Sequence, residues 1–212
     1  MKRRNFLKTS MCVGAGLIAA PSVIKGTTPQ TGITELLNML NPGELGLILG
    51  TSGSGKTTIM YDMFYHNNAG QYFYDLESKN YPKMYVEELL NKTRLGNAVC
   101  YIDPLNLLEV SEVNIILTPY LKRMYILNKL SDFAKKHQTK IWISDQSTRN
   151  VNHNSIWKMY DIALIPSLIV HLTNKNNKIS GTILKSRNNH DDEYKTLYLG
   201  NVRDIKMRRH YV

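Results

Sequence analysis

The chain has 212 residues, enough for one domain with a sizeable core but too few for two full domains. Hydrophobic residues make up 42% and charged residues 21%, and no apolar run approaches the roughly 18 residues that a membrane span needs. The net charge of +10 favours a polyanionic partner, although a solvated basic surface would also carry it. The two cysteines and six histidines lack disulfide-framework or metal-ligand spacing, which argues against a metal held by protein side chains alone.

Residues 1–30 combine basic residues with a short apolar run. "MKRRNFLKTS" precedes "MCVGAGLIAA", and small residues follow, which is the layout of a secretory signal peptide. The paired arginines and the residues after them resemble a twin-arginine export signal. The alternative is a basic N-terminal arm that packs on the domain formed by residues 31–212.

Residues 45–67 predict a buried strand, a loop of small residues and a helix. The strand is "LGLILG", the helix is "KTTIMYDMFYHN", and the loop between them fits G-x-x-x-x-G-K-[ST] at every fixed position. In this pattern backbone N–H groups surround phosphates, and the helix N-terminus adds positive potential. The predicted nucleotide-binding residues are Gly50, Thr51, Ser52, Gly53, Ser54, Gly55, Lys56, Thr57 and Thr58.

Two residues of this loop have defined chemical roles. Lys56 is expected to bridge the β- and γ-phosphates, and the Thr57 hydroxyl is expected to ligate Mg²⁺. ATP and Mg²⁺ are therefore the predicted cofactors. Because ATP is found in the cytoplasm, the loop favours a cytoplasmic protein and conflicts with the export signal.

The lead-in "TGITELLNMLNPGELGLILGTSGSGKTT", residues 31–58, resembles that of DnaB-type replicative helicases and KaiC-like ATPases. In those proteins a Thr-Gly-Ile turn, a short Leu-rich helix and a Pro-Gly-Glu-Leu turn precede the first strand. The resemblance weakens along the chain but continues to about residue 200. It implies an α/β fold of the RecA-like P-loop NTPase type, with a mostly parallel central sheet flanked by helices.

The segment "GQYFYDLES", residues 70–78, predicts the next strand. In the RecA-like family a Glu at this place polarises the attacking water, and the resemblance assigns Glu77 to it. A carboxylate suits this role because it can accept a hydrogen bond from the water. Asp75 lies two residues earlier on the same face of the strand and competes for the assignment.

Two aspartates follow apolar strands and compete as the acid on the metal side. "YPKMYVEELLNKTR" predicts a helix, after which "NAVCYID" ends in Asp103; a helix over residues 117–138 then leads to "KIWISD", which ends in Asp145. In DnaB-type proteins the strand after the metal-side acid ends in a Gln with an Arg three residues later. Gln146 and Arg149 reproduce that spacing, which favours Asp103 and leaves Asp145 as the alternative. The interval from Glu77 to Asp103 is short for the family.

The last fifty residues predict a buried strand, a turn at "NKNNK" and a hairpin. The hairpin resembles the DnaB-type pattern in which Lys-x-Arg reaches the γ-phosphate bound by the adjacent subunit. Lys185 and Arg187 occupy those positions. The resemblance therefore implies a homo-oligomer, a ring or a filament, with Lys185, Arg187, Lys56, Glu77 and Gln146 as its catalytic residues.

Residues 147–160 are polar and Asn-rich, which suits a loop that faces DNA. Arg149, His153 and Lys158 could meet a phosphate backbone, and Trp157 could stack on a base, so single-stranded DNA is the predicted partner. The predicted function is an ATP-hydrolysing motor that is helicase-like or translocates on DNA. The alternatives are a DNA-packaging ATPase of the FtsK/HerA type and a nucleotide-dependent regulatory or assembly subunit with little turnover.

Overall fold

The structure is a computed structural model that describes residues 31–67, 70–77, 83–93, 98–111, 118–146, 160–203 and 205. These residues form nine strands and five α-helices. The strands are β1 (Leu45–Gly50), β2 (Gln71–Asp75), β3 (Met84–Tyr85), β4 (Val99–Asp103), β5 (Leu108–Glu109), β6 (Lys140–Gln146), β7 (Leu168–Lys175), β8 (Lys178–Ser186) and β9 (Thr196–Asn201). The helices are α1 (Thr31–Asn38), α2 (Lys56–His66), α3 (Val86–Lys92), α4 (Pro119–His137) and α5 (Tyr160–Leu164).

The strands build a seven-stranded sheet in the order β2-β4-β6-β1-β7-β8-β9, and β3 pairs with β5 separately. The first five strands of the large sheet are parallel, whereas β8 and β9 are antiparallel to their neighbours. All six residues of β1 are buried, as expected for a central strand with parallel neighbours on both sides. The mostly parallel sheet predicted from the sequence is confirmed.

Alternation along the strands divides the core into two layers. On one face of the sheet, which we call the α2 face, Ile48, Tyr101 and Trp142 pack against α1 and α2. On the other, the α4 face, Leu47 and Ile143 pack against α3 and α4. Successive strand residues point to opposite faces, so the parity of a residue number within a strand decides which layer its side chain enters.

Local capping explains where the longest helix begins and ends. The Thr118 hydroxyl accepts a hydrogen bond from the backbone N–H of Leu121 at 3.3 Å, and Pro119 occupies the first turn, where its missing N–H costs nothing. At the other end Gln138 adopts a left-handed conformation with φ of 52° and closes the helix. After this helix, α4, the chain enters β6 at Lys140.

Three sequence expectations are corrected in detail. Met84–Tyr85 is a strand paired with β5 rather than the start of a helix, so α3 begins only at Val86. The strand expected over 70–78 ends at Asp75, and its last bond to β4 runs from the Leu76 N–H to the Asp103 carbonyl at 2.7 Å, after which the chain turns. Glu77 therefore lies in the turn after β2 rather than on the strand.

The "NKNNK" turn is confirmed as the connection between β7 and β8. Asn176 and Asn177 both have positive φ, 53° and 64°, which is the backbone of a two-residue hairpin turn that Asn tolerates. The antiparallel β8–β9 pair also confirms the predicted hairpin. Among the described residues no helix is both long and apolar enough to cross a bilayer.

Gly46 tests the packing of the α2 face. A Cβ at this position in β1 would lie 2.7 and 2.8 Å from two ring carbons of the fully buried Trp142. We expect Gly46→Ala to lower the free energy of unfolding by about 1–3 kcal/mol, because the new methyl group would force the buried ring or the backbone to shift within a closely packed core. Chemical denaturation measures the effect.

Gly70→Ala is the matched control, since Gly70 is exposed and no atom lies within 4 Å of the position that its Cβ would take. Its free energy of unfolding should stay within about 0.5 kcal/mol of that of the unmutated protein. Equal stability of the two variants would contradict this account of the core.

Candidate functional site

A cleft of about 320 Å³ opens at the carboxyl ends of the parallel strands. This is the end of such a sheet at which ligands bind. Residues from the P-loop, three strand ends and the hairpin line it: Ser52, Gly53, Gly55, Lys56, Thr57, Thr58, Glu77, Asp103, Pro104, Asn106, Gln146, Asn174 and Val202. Glu77, Asp103 and Gln146, predicted from separate segments, therefore share one cleft with Lys56.

The turn between β1 and α2 requires glycine at two positions. A Cβ on Gly50 would lie 2.2 Å from the Ser54 hydroxyl oxygen, so no side chain fits there. Gly55 has φ of +94°, in the left-handed region, and its Cβ would lie 2.5 Å from Ile179 Cδ1 of the hairpin. The loop is thus held tightly between α2 and the start of β8.

The Lys56 ammonium lies inside the loop that it follows. Its Nζ donates hydrogen bonds to the carbonyl oxygens of Gly50, at 2.9 Å, and Thr51, at 3.0 Å. Burial lowers the pKa of Lys56, while the negative charges of Asp103 and Glu77 act in the opposite direction. The cleft thus holds a partly desolvated cation near two carboxylates.

Asp103, at the end of β4, is almost fully buried. Its Oδ1 accepts a hydrogen bond from the Ser144 hydroxyl of the neighbouring strand β6. Within the described part of the chain, Asp103 Oδ2 is buried without a hydrogen-bond partner. An unpaired buried carboxylate oxygen is costly, so its place in a ligand cleft points to a group that binds there.

The Asp145 side chain points to the α4 face of the sheet, opposite to that of Asp103, and it does not line the cleft. Its carboxylate lies 3.3 Å from Arg123 of α4, and its Oδ1 accepts the backbone N–H of Gln146 at 2.9 Å. Burial raises the pKa of Asp145, although Arg123, the Gln146 N–H and Lys56 partly offset that rise. Asp145 therefore joins the sheet to α4.

Asp75 and Glu77 also separate in space. Asp75 Oδ2 accepts a hydrogen bond from the Tyr61 hydroxyl at 3.1 Å, and the Tyr61 ring stacks on Phe73 with centroids 4.1 Å apart. Asp75 is thus bonded to α2 and lies outside the cleft lining, whereas Glu77 is exposed within it. Of the two acids, only Glu77 faces the ligand space.

Lys185 and Arg187 lie at the opposite end of the strands from the P-loop. Lys185 pairs with Ile169 near the beginning of β7, and that part of β7 lies beside the amino end of β1. Arg187 donates to the Leu164 carbonyl at 3.0 Å, just beyond β8. These two residues cannot reach the cleft of their own chain.

The Lys185 ammonium is fully engaged by backbone carbonyls around the end of α5. It donates to Ala163 at 2.6 Å, Pro166 at 2.7 Å and Leu164 at 3.2 Å, which uses all three of its N–H groups. Burial and the nearby Arg187 charge lower the pKa of Lys185 to about 8. Arg187 by contrast uses one of its five N–H donors in the bond to Leu164.

Several site residues escaped the sequence prediction. Asn174 donates a hydrogen bond to the Gly53 carbonyl at 3.3 Å across 121 positions of sequence, and only folding brings these residues together. The same holds for Asn106 and Val202, which also line the cleft. Ser144 could have been identified from the sequence, since it lies two residues before Gln146 and therefore on the same face of a strand.

Four predicted DNA-contact residues lie outside the described residues, as do residues 1–30: Arg149, His153, Trp157 and Lys158.

Solved structures provide the comparison for this architecture. The chain is similar to a solved structure described as an ATPase domain, with a TM-score of 0.61 and 14% sequence identity over 87% of this chain and 89% of that one. The fold is RecA-like.

A second similar structure is that of a DnaB-like replicative helicase, described together with its interactions with primase. The TM-score is 0.60 and the identity 16%, over 78% of this chain and 60% of the helicase chain. The present chain thus corresponds to little more than half of that helicase. No family model matches the sequence, and neither does any curated protein. At these identities the similarity demonstrates the RecA-like fold, and any catalytic activity has to be inferred from the residues of the cleft.

Burial of Asp145 should make the free energy of unfolding depend on pH. Because burial raises the pKa of Asp145 above its ordinary 3.8, the folded state holds that proton more tightly than the unfolded state. Its contribution to the free energy of unfolding is greatest below pH 3.8 and is lost as pH rises through the folded pKa. Asp145→Asn removes this dependence, so the variant should gain stability relative to the unmutated protein as pH rises.

Urea denaturation at several pH values measures this difference. Asp132→Asn, which removes an exposed carboxylate of α4, controls for the loss of one negative charge. A difference between Asp145→Asn and the unmutated protein that stays constant with pH would contradict the argument.

Proposed function

We propose that this chain is an ATP-hydrolysing RecA-like motor domain that acts on single-stranded DNA as an assembly of several copies. One observation carries the proposal: Lys56, Glu77, Asp103 and Gln146 come from four separate segments and line one cleft. The similarity to an ATPase domain and to a DnaB-like helicase supports a motor rather than a kinase of small metabolites.

The P-loop would bind the nucleotide through its backbone. Residues 50–58 would surround the phosphates with N–H groups, and the amino end of α2 would add positive potential there. The Lys56 ammonium would exchange the Gly50 and Thr51 carbonyls for phosphate oxygens, a favourable exchange because both partners are then charged. Nucleotide would thus replace bonds that the loop makes to itself.

The donor set fits Mg²⁺. Hard oxygen ligands suit this ion, and it usually takes one or two protein groups with the substrate phosphates completing its coordination. Asp103 Oδ2, buried and unpaired among the described residues, and the Thr57 hydroxyl are such groups, and both residues line the cleft. Mg²⁺ would neutralise charge on the β- and γ-phosphates. Asp103 is preferred over Asp145 because Asp145 is bound to Arg123.

Two cleft residues would act on the attacking water and the γ-phosphate. Glu77 would accept a hydrogen bond from the water and orient it for in-line attack. Gln146, exposed at the end of β6, would sense the γ-phosphate. Because residues 147–160 follow Gln146 directly, a shift of its side chain would be transmitted to the predicted DNA loop.

The remaining two catalytic residues would come from a neighbouring copy. Lys185 and Arg187 are too far from their own cleft, and they lie at the opposite end of the strands, as a head-to-tail assembly requires. Arg187 is the better placed to reach a phosphate, because Lys185 would first have to leave three carbonyls. An arginine supplied in this way stabilises charge that develops in the transition state.

DNA would be bound by the predicted loop after β6, with Arg149 and Lys158 on phosphates and Trp157 stacked on a base.

We expect the protein to act in the cytoplasm, where ATP is available, with residues 1–30 as a basic arm. Mass spectrometry of the expressed protein checks this point, since cleavage near residue 20 would contradict it.

Subunit mixing tests the shared site. We expect Lys56→Ala to lower the rate of ATP hydrolysis at least about a hundredfold and Arg187→Ala about a thousandfold or more. In a one-to-one mixture, about a quarter of the interfaces should combine an intact P-loop with an intact Arg187, so turnover should return. A phosphate-release assay measures this.

Lys136→Ala, which removes an exposed lysine of α4, is the charge control and should hydrolyse ATP normally. Unchanged hydrolysis by Lys56→Ala would contradict the catalytic proposal. Inactive mixtures in which the two variants assemble with each other and Arg187→Ala still binds nucleotide would contradict the shared site alone.

Tryptophan fluorescence tests the DNA contact. The chain has two tryptophans, and Trp142 is fully buried, so quenching by an oligothymidylate would report on Trp157. We expect quenching in the unmutated protein, loss of it in Trp157→Phe, and weaker binding as salt increases. Identical titrations of the two proteins, or a preference for duplex DNA, would contradict stacking by Trp157.

A further inference from the structure

Ser144 has no part in the function proposed above, yet it is the direct neighbour of the acid on the metal side. It is fully buried in β6, and its hydroxyl donates a hydrogen bond to Asp103 Oδ1. Both residues belong to strands that end at the cleft. Ser144 itself is not part of the cleft lining, so it would reach any ligand only through Asp103.

The register of the sheet explains this contact. Strands β4 and β6 are parallel, and Ile102 of β4 pairs with Ile143 of β6. One residue further along both strands, Asp103 and Ser144 point to the same face, that of Tyr101 and the fully buried Trp142. The residues around the two side chains in this layer are mostly apolar, so a carboxylate at its end needs a donor from a neighbouring strand.

The two oxygens of the Asp103 carboxylate therefore have different environments. Oδ1 is paired with the Ser144 hydroxyl, whereas Oδ2 has no hydrogen-bond partner among the described residues. A carboxylate that is held through one oxygen cannot rotate freely and presents the other oxygen in a defined place. Such support from an outer hydrogen bond commonly fixes metal-binding carboxylates.

We propose that Ser144 is a positioning residue: by holding Oδ1 it orients Asp103 so that Oδ2 receives Mg²⁺ or a water bound to it. The inference rests on the proposed ATP and Mg²⁺ site and adds a residue to it. Ser144→Ala would leave Oδ1 unpaired and free the carboxylate to turn. Ser144→Ala should chiefly raise the Mg²⁺ concentration that nucleotide binding requires, because the Ser144 hydroxyl donates its hydrogen bond to Asp103.

The experiment measures binding rather than turnover. A fluorescent ATP analogue is titrated with Mg²⁺ in the presence of the full chain, and its affinity is also measured in EDTA. Ser144→Ala should raise the half-saturating Mg²⁺ concentration about tenfold or more. The affinity in EDTA should stay within about twofold, since the loop residues that bind the phosphates are unchanged.

Two further variants separate positioning from a general loss of packing. Ser131→Ala removes another buried hydroxyl, on α4, and should leave the magnesium titration unchanged. Ser144→Cys keeps nearly the size of serine but has a weak donor, so its requirement should lie between those of serine and alanine. If the alanine variant fails to fold, the cysteine variant carries the test.

A double-mutant cycle with Asp103→Asn completes the design. If Ser144 acts through Asp103, then Ser144→Ala should add little to the magnesium defect of Asp103→Asn. Magnesium titrations of Ser144→Ala or Ser144→Cys that superimpose on the unmutated curve would overturn the proposal. Failure of the unmutated protein to bind the analogue at any Mg²⁺ concentration would overturn the ATP site itself, and this inference with it.

Discussion

The central strand β1 is hydrogen-bonded along both edges, to β6 on one side and β7 on the other. A strand held in this way cannot slip by one residue without moving every buried side chain to the wrong face of the sheet. It ends at Gly50, where the chain turns over Ser54 into α2 with no room for a Cβ. The position of the P-loop, and with it the position of the whole cleft, follows from this constraint.

Side chains alternate between the two faces of the sheet along each neighbouring strand, and this places two aspartates in different environments. Asp103 and Asp145 both follow apolar runs, but Asp103 lies at the end of the α2 face whereas Asp145 lies on the α4 face. There Asp145 meets Arg123, which compensates part of the cost of burying it. Asp103 has instead a single hydroxyl donor and one unpaired oxygen among the described residues, which is the state expected of a group that binds a ligand.

The two ends of the parallel strands carry complementary parts of the proposed site. The carboxyl ends carry the P-loop, Glu77 and Gln146, while Lys185 and Arg187 lie near the amino ends, beside α5. The proposed site would be complete only when one copy docks against the next. Lys185 is costly to bury beside Arg187, as its lowered pKa indicates, and three carbonyl oxygens compensate that cost in the single chain.

The sequence by itself determined the P-loop, the order of the principal strands and helices, and the mostly parallel sheet, because these depend on local patterns of apolar, glycine and capping residues. It also identified Glu77, Asp103 and Gln146 as candidates, each at the end of an apolar run. It could not show that Glu77 lines the cleft while Asp75 bonds to Tyr61, it could not locate Asn174 and Val202, and it assigned Met84 to a helix. Only the tertiary structure decided these points, since they depend on register between strands and on contacts between residues far apart in the chain.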